Sequence, residues 1–174
     1  MKVYLLLVVK LIITIVISGS SYSYAISREE EGIKLIVTDC EKKYHIPHNL
    51  LWSIAKVESH INPFAIHIAG KAYFPKTSIE AEQIIEAAIR RGITNIDIGL
   101  MQVNLKYHGK NFRNIHEMLE VNKNLDYAAI LLCRLYKTYG GWWAAVQHYH
   151  SSKPEHHLKY ARKVSIVYGL RTKL

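Results

Sequence analysis

Residues 51–65 read LWSIAKVESHINPFA, an apolar helical pattern that ends in a carboxylate and then meets a proline. Successive helical residues advance by about 100°, so Glu58 projects within about 20° of Leu51, two turns earlier. Ile54 and Ala55 share that face, so we expect the carboxyl group to be carried towards the core. A carboxyl group away from water favours its protonated form, and a protonated Glu can act as a general acid. For an isolated Glu, an outward orientation at the helix end is the simpler interpretation. The choice between the two orientations of Glu58 therefore depends on the motifs found in the rest of the chain.

The first 25 residues have the pattern of a secretory signal peptide. A short positive start precedes an apolar run, and residues 23–25 read SYA, which resembles a small-x-small cleavage site. We therefore divide the chain into a signal peptide, residues 1–25, and one domain, residues 26–174. We expect an exported protein of the periplasm or cell envelope. Because Lys10 interrupts the apolar run, we expect no stable membrane span after cleavage.

The cysteines and the charged residues exclude several classes of function. Cys40 and Cys133 both follow the signal peptide, and an oxidising compartment would allow a disulfide between them; two buried free thiols are the alternative. The ten histidines form no HExxH pattern, so we expect no metal site. The formal net charge is +9, but the basic residues are scattered and do not form the stripe typical of nucleic-acid binding.

Periodicity and capping signals predict a mainly α-helical single domain with at most a small β element. A short extended pair is possible between Phe64 and Pro75, where no helical period is visible. The residues TSIE, 77–80, and NIHE, 114–117, are capping boxes that open helices. The other predicted helices begin at Ser27, precede and include Glu58, and cover residues 122–139, 142–150 and 160–168.

Residues 99–104 read GLMQVN and could form part of a binding groove. Gly99 has no side chain, so another surface can approach its backbone closely. The amides of Gln102 and Asn104 suit hydroxyl and acetamido groups, although a buried helix start with one core methionine would explain the same residues. Late in the chain, residues 142–143 are both tryptophan, and the phenol of Tyr149 could reach a carboxylate or a substrate oxygen.

Three motifs in order resemble those of the lytic transglycosylase family, which has a lysozyme-like fold. They are ESHINPFA at residues 58–65, GLMQVN at 99–104 and AVQHYHS at 145–151. The residues NIDI before the second motif and the YHS ending are similar to the small enzymes that accompany type III and type IV secretion, conjugation and pilus machines. The resemblance implies peptidoglycan as the partner, and neither a metal nor an organic cofactor.

By this resemblance, Glu58 is the single catalytic acid/base. The implied substrate-binding residues are Ser59, Gly99, Met101, Gln102, Asn104, Tyr149 and His150. Two positions depart from the family pattern. Many relatives have Asn where this chain has His150, and some carry a Ser where this chain has Ile66 and His67.

Two other functions remain open at this stage. A hydrolytic muramidase would need a second carboxylate to hold a water molecule, and Asp97 is the nearby candidate. We expect Asp97 instead to orient the segment that begins at Gly99. A non-catalytic protein that docks on peptidoglycan or on a secretion apparatus is the second alternative, and it predicts that Glu58→Gln leaves function intact.

Overall fold

A computed structural model describes residues 28–150 and 154–171 of the chain. The chain divides into two compact units, Met1–Leu35 and Ile36–Leu174, and every contact reported below lies within the second. In the first unit, residues 28–35 are helical. The predicted signal peptide falls outside the described residues and stays a prediction. In the part of the chain that is described, no helix combines the length and apolar character needed to cross a bilayer.

Helices dominate the described residues, and a small sheet accompanies them, as the sequence predicts. In chain order the elements are α1 (28–43), α2 (Leu50–Ser59), β1 (Ile66–Ile68), β2 (Lys71–Tyr73), α3 (Ser78–Arg90), β3 (Ile96–Ile98), β4 (Val103–Asn104), α4 (Leu105–His108), a 3-10 turn (Gly109–Asn111), α5 (Ile115–Leu119), α6 (Val121–Tyr139), α7 (Trp142–His150) and α8 (Pro154–Arg171). The extended pair predicted between Phe64 and Pro75 is the hairpin of β1 and β2.

The sheet is antiparallel, with strand order β2-β1-β3-β4. Side chains alternate between its two faces, so one face is apolar and the other polar. The register places His67 opposite Asp97, and Asp97 opposite Asn104, on the polar face. The apolar face is buried and carries Ile66, Ile68, Ile96, Ile98 and Val103.

Helix packing brings together elements that are distant in sequence. Helix α8 packs against both α2 and α7, and α7 packs against α6. On α2, Leu51, Ile54 and Ala55 are completely buried, as the helical period predicts. Ala145 and Val146 of α7 are also completely buried. The last turn of α2 is therefore held next to the late helices.

Both ends of α2 are fixed by unusual local structure. At its start, the buried Glu41 carboxylate accepts hydrogen bonds from the backbone N–H groups of Asn49, Leu51 and Trp52, at 2.8, 2.9 and 3.3 Å. These groups belong to the first turn, where helical N–H groups lack partners within the helix. At its end, His60 and Ile61 both have positive φ, 55° and 68°. These two left-handed residues end the helix after Ser59. Ile61 is the unusual one, because a β-branched residue rarely adopts this conformation.

The predicted N-caps are confirmed, because the Thr77 hydroxyl accepts a hydrogen bond from the Glu80 N–H and the Asn114 side chain accepts one from the Glu117 N–H. The return bonds of a capping box go one residue further back, since Glu80 and Glu117 accept from the N–H groups of Lys76 and Arg113. The last helix is longer than predicted: it begins at Pro154, whereas its apolar period emerges only from Tyr160 onward.

The disulfide expected between Cys40 and Cys133 is absent, and both residues are free thiols. Each sulfur faces a different acceptor: the Cys40 Sγ lies 3.9 Å from Oδ1 of Asp126, and the Cys133 Sγ lies 3.8 Å from the Tyr44 carbonyl oxygen. Burial is the main cause that raises the pKa of Cys40 to about 12, so this thiol stays protonated and unreactive.

Candidate active site

Glu58 lies in the last turn of α2, with only 10% of its side chain exposed. This position agrees with the sequence-based expectation of a carboxyl group carried towards the core. The Glu58 carboxyl group keeps some access to solvent, and it contacts His150, whose side chain is half-exposed. The carboxyl group therefore sits at the boundary between the core and solvent, where a bound substrate could reach it.

Two rings from the late helices lie against this carboxyl group. The Nδ1 atom of His150 is 3.6 Å from Oε1 of Glu58, slightly longer than an ordinary hydrogen bond. The imidazole stacks on the Tyr160 ring, with centroids 4.6 Å apart and planes 7° apart. The Tyr160 hydroxyl is buried and has no hydrogen bond of regular geometry to any described residue. It nevertheless interacts with Glu58, whose charge adds to burial in raising the pKa of Tyr160 well above its usual value.

Sequence analysis missed Tyr160. This residue belongs to α8, beyond the three motifs, and it reaches Glu58 only because α8 packs against α2. Its period with Val164 marks it as a core residue and gives no sign of a polar partner. Because its pKa is raised, the phenol remains protonated and can act as a hydrogen-bond donor towards the carboxylate.

The GLMQVN motif forms a tight turn that faces the segment following α2. Gly99 has φ of 83°, and its N–H donates to the Ala65 carbonyl at 2.8 Å. The Gln102 side-chain Nε2 donates to the carbonyl oxygens of Ala65 and Gly99, both at 2.9 Å. Gln102 itself has φ of 48°, an uncommon conformation for a residue with a side chain. Its amide therefore clamps the turn to the segment after Glu58 and leaves Oε1 available as an acceptor.

A buried asparagine on α6, which sequence analysis also missed, supports this turn from below. The Asn124 side chain accepts a hydrogen bond from the Met101 N–H at 2.8 Å. Its Nδ2 donates to the carbonyl oxygens of Ile98 and Met118, at 2.9 and 2.8 Å. A Cβ atom on Gly99 would lie 2.7 Å from that Nδ2, so the motif needs glycine there. A polar residue on the apolar face of a long helix was the available signal, but its partner could not be read from sequence.

The polar face of the sheet contributes Asp97 and its two neighbours. Asp97 Oδ1 accepts a hydrogen bond from the Asn104 amide at 2.8 Å, and Oδ2 lies 3.5 Å from Nδ1 of His67. Asn104 Nδ2 also donates to Oδ1 of Asn95 at 2.8 Å, and its own Oδ1 caps α4 by accepting from the Lys106 N–H at 3.0 Å. Asn104 is therefore engaged within the protein on both sides of its amide.

Tyr149 joins α7 to the motif turn. Its hydroxyl donates to the Met101 carbonyl oxygen at 2.9 Å. Burial is the main cause that raises the pKa of Tyr149 well above its usual value, and the charges of Glu58 and Asp97 add to it. The hydrogen bond of this phenol therefore goes to the motif turn, and Glu58 acts on the phenol only through its charge.

The remaining predicted residues lie inside the wall of the site. The Ser59 side chain is buried and donates to the Ala55 carbonyl at 3.0 Å, and Met101 is completely buried. The tryptophans lie at the other end of α7, about 10 Å from Tyr149 along the helix axis. Trp142, at the start of α7, stacks on Tyr136 of α6 with ring centroids 4.3 Å apart. Among the described residues, no three His, Cys, Asp or Glu side chains are grouped as a metal site.

The side chains gathered here include one largely buried carboxyl group and the hydroxyls of Tyr149 and Tyr160, a set of groups that can give and take a proton. Residues 36–165 match the family described as "Transglycosylase SLT domain", and the chain belongs to this family. It is a peptidoglycan lytic transglycosylase, and the predicted lysozyme-like, mainly α fold class is confirmed.

A search of curated proteins found a relative of similar extent. Protein IpgF of Shigella sonnei is 30% identical over 132 residues, which represent 71% of this chain and 72% of that protein. No solved structure is significantly similar to the chain. The family assignment therefore rests on the sequence match, which covers the motifs at Glu58, Gly99 and Tyr149.

Proposed function

We propose that Glu58 is the single general acid and base of this transglycosylase. The observation that carries the proposal is its position: its side chain is 10% exposed and in contact with His150 and Tyr160. A partly desolvated carboxyl group can hold a proton for donation, and partial access lets it meet a sugar oxygen.

In the proposed reaction, Glu58 first donates its proton to the oxygen of the β-1,4 bond between N-acetylmuramic acid and N-acetylglucosamine. The substrate's own acetamido group stabilises the positive charge that develops at the anomeric carbon. The Glu58 carboxylate then takes the proton from the muramoyl C6 hydroxyl, whose oxygen closes a 1,6-anhydro ring. An intramolecular hydroxyl has a high effective concentration, so water is not needed as the nucleophile.

The groove residues have distinct proposed parts. Gln102 would offer its Oε1 to a substrate hydroxyl or amide, since its Nε2 is committed to Ala65 and Gly99. Tyr149 and Asn104 would hold the turn and the sheet edge that form the walls, and His150 would contact the glycan at the rim. Ser59, Gly99 and Met101 would shape the wall from inside, because they are buried.

We also propose that the enzyme acts in the periplasm or cell envelope and opens the wall locally for a type III or type IV secretion, conjugation or pilus machine. Peptidoglycan lies outside the cytoplasm, so an enzyme that cleaves it must work there. The likeness of residues 95–98 and 149–151 to the specialised enzymes of such machines supports the second part.

The decisive experiment digests purified sacculi with wild type and Glu58→Gln, and identifies the released muropeptides by mass spectrometry. We expect wild type to release 1,6-anhydro products, and Glu58→Gln to lose at least about 100-fold in rate, because it has no proton to donate. Glu86→Gln is the matched control, because Glu86 is exposed on α3 and forms a surface ion pair with Arg90. Retained anhydro release by a folded Glu58→Gln protein would overturn the assignment of Glu58.

A hydrolytic reaction at the same bond is the second candidate, because Asp97 also acts on the site. Its charge contributes to raising the pKa values of Tyr149 and His150. However, Asp97 is engaged by Asn104 and by His67, which favours a positioning part. The same digestion separates the two reactions, since hydrolysis yields reducing muramic acid ends instead of anhydro ends.

A further inference from the structure

The contact between His150 and Glu58 has no part in the reaction described above. His150 is the last residue of α7 and carries a titratable side chain. Its Nδ1 atom lies 3.6 Å from Glu58 Oε1, and 47% of its side chain is exposed. The ring is fixed by stacking on Tyr160, so it presents the same edge to the carboxyl group. A titratable group is therefore held beside the proposed acid and remains open to solvent.

The titratable and charged groups around His150 come from three elements, α2, β3 and α8. Glu58 of α2 and Asp97 of β3 raise the pKa of His150, with the direct interaction with Glu58 as the largest cause, whereas partial burial and Lys163 of α8 lower it. Tyr160 of α8 stacks on the ring and stays neutral, since its own pKa is raised. The net result is a raised pKa, so the imidazole takes up a proton more readily than an ordinary histidine.

We propose that His150 sets the fraction of Glu58 that carries a proton, and so restrains glycan cleavage as the surroundings become acidic. This inference rests on the proposed function of Glu58 as the acid. Only protonated Glu58 can donate to the glycosidic oxygen. A protonated imidazole beside it favours the carboxylate form, because opposite charges stabilise each other.

The size of the effect follows from linkage. The factor by which the Glu58 carboxylate strengthens proton binding at His150 equals the factor by which protonated His150 weakens proton binding at Glu58. In general acid catalysis, the fraction of enzyme that carries the donated proton grows with acidification, and a neutral residue at position 150 leaves that growth unopposed. In wild type this growth is held back over the range in which His150 titrates. The deficit cannot exceed the linkage factor, about tenfold for each unit of pKa shift.

The test measures kcat/KM for release of anhydro-muropeptides from about pH 4.5 to about pH 8.5, two units on either side of the ordinary histidine pKa of about 6.5. At the alkaline end, where the imidazole is neutral, the ratio of kcat/KM for His150→Asn to that for wild type gives the effect of the lost glycan contact alone. Towards acid, we expect this ratio to rise above its alkaline value by a factor no larger than the linkage factor. His45→Asn is the control, since His45 is exposed with φ of 54°, a conformation that Asn tolerates.

An NMR titration of the His150 ring in wild type and in Glu58→Gln measures the same linkage without activity. We expect the pKa of His150 to fall in Glu58→Gln, and the fall to set the upper limit of the activity ratio. A ratio of kcat/KM between His150→Asn and wild type that stays constant with pH, or an unchanged pKa of His150 in Glu58→Gln, would each overturn the inference. These results differ from failure of the proposed function, in which wild type releases no anhydro products or Glu58→Gln remains active.

Discussion

Asn124 supports the turn formed by the GLMQVN motif, and replacing Asn124 with alanine tests this support. Asn124 is completely buried and makes three hydrogen bonds of 2.8 to 2.9 Å, one with the Met101 N–H and two with the carbonyl oxygens of Ile98 and Met118. Removing the side chain takes away three bonds worth about 1 kcal/mol each, and it leaves a buried N–H without its acceptor, which costs about 1 to 3 kcal/mol. We therefore expect Asn124→Ala to lower the free energy of unfolding by about 4 kcal/mol or more.

Urea unfolding followed by circular dichroism measures this loss. A 4 kcal/mol change lowers the urea midpoint by about 2 M if the m-value is about 2 kcal/mol/M. Domains are stable by about 5 to 15 kcal/mol, so the variant should still fold at low temperature. There, muropeptide release should also fall, because the Met101 carbonyl that binds Tyr149 and the turn that carries Gln102 lose their support.

Two further variants make the Asn124 test specific. Asn122→Ala changes an exposed residue of the same helix and should alter the free energy of unfolding by less than about 0.5 kcal/mol. Asn124→Asp keeps an acceptor for the Met101 N–H but sets a carboxyl group against two carbonyl oxygens, so its loss of stability should increase as the pH rises and that group ionises. If Asn124→Ala unfolds within about 1 kcal/mol of wild type and keeps its activity, the reasoning on this support is wrong.

Two other substitutions address the walls of the site. Tyr149→Phe removes the hydroxyl that donates to the Met101 carbonyl. We expect a loss of about 1 kcal/mol in the free energy of unfolding and a lower kcat in muropeptide release. An unchanged kcat would argue against a positioning part for Tyr149. Glu41→Ala leaves the N–H groups of Leu51 and Trp52 without their acceptor, so thermal unfolding should show a loss of about 2 kcal/mol or more, whereas Glu41→Gln, which keeps an acceptor oxygen, should lose less.

Local patterns in the sequence were sufficient to predict the helical fold and the position of Glu58. The helical period around Leu51 requires no partner to be known, and the capping boxes at Thr77 and Asn114 form hydrogen bonds within four residues. The same holds for the helix break at Gly140, whose φ of 76° favours glycine. Features that depend only on neighbours along the chain were therefore within reach of sequence analysis.

The second layer of the site was beyond such analysis, because it depends on which helices pack together. In the sequence, Tyr160 and Asn124 are indistinguishable from other residues of amphipathic helices. Their part in the site depends on the packing of α8 against α2 and of Asn124 against Gly99. The absent disulfide has the same origin. A shared compartment and an even count of cysteines suggested a pair, but Cys40 and Cys133 each face a separate oxygen acceptor.

The conformation of the motif supports the proposed division between residues that form the walls of the site and residues that touch the glycan. Gly99 is required because Asn124 occupies the space of a Cβ, and the Gln102 amide binds two carbonyl oxygens of the protein itself. The Ala65 carbonyl receives both the Gly99 N–H and the Gln102 amide, so the segment after α2 and the motif turn are joined at one atom. The single acid and base that we propose for Glu58 would depend on such fixed walls, because the distance from its carboxyl group to each sugar oxygen determines whether the proton transfer occurs.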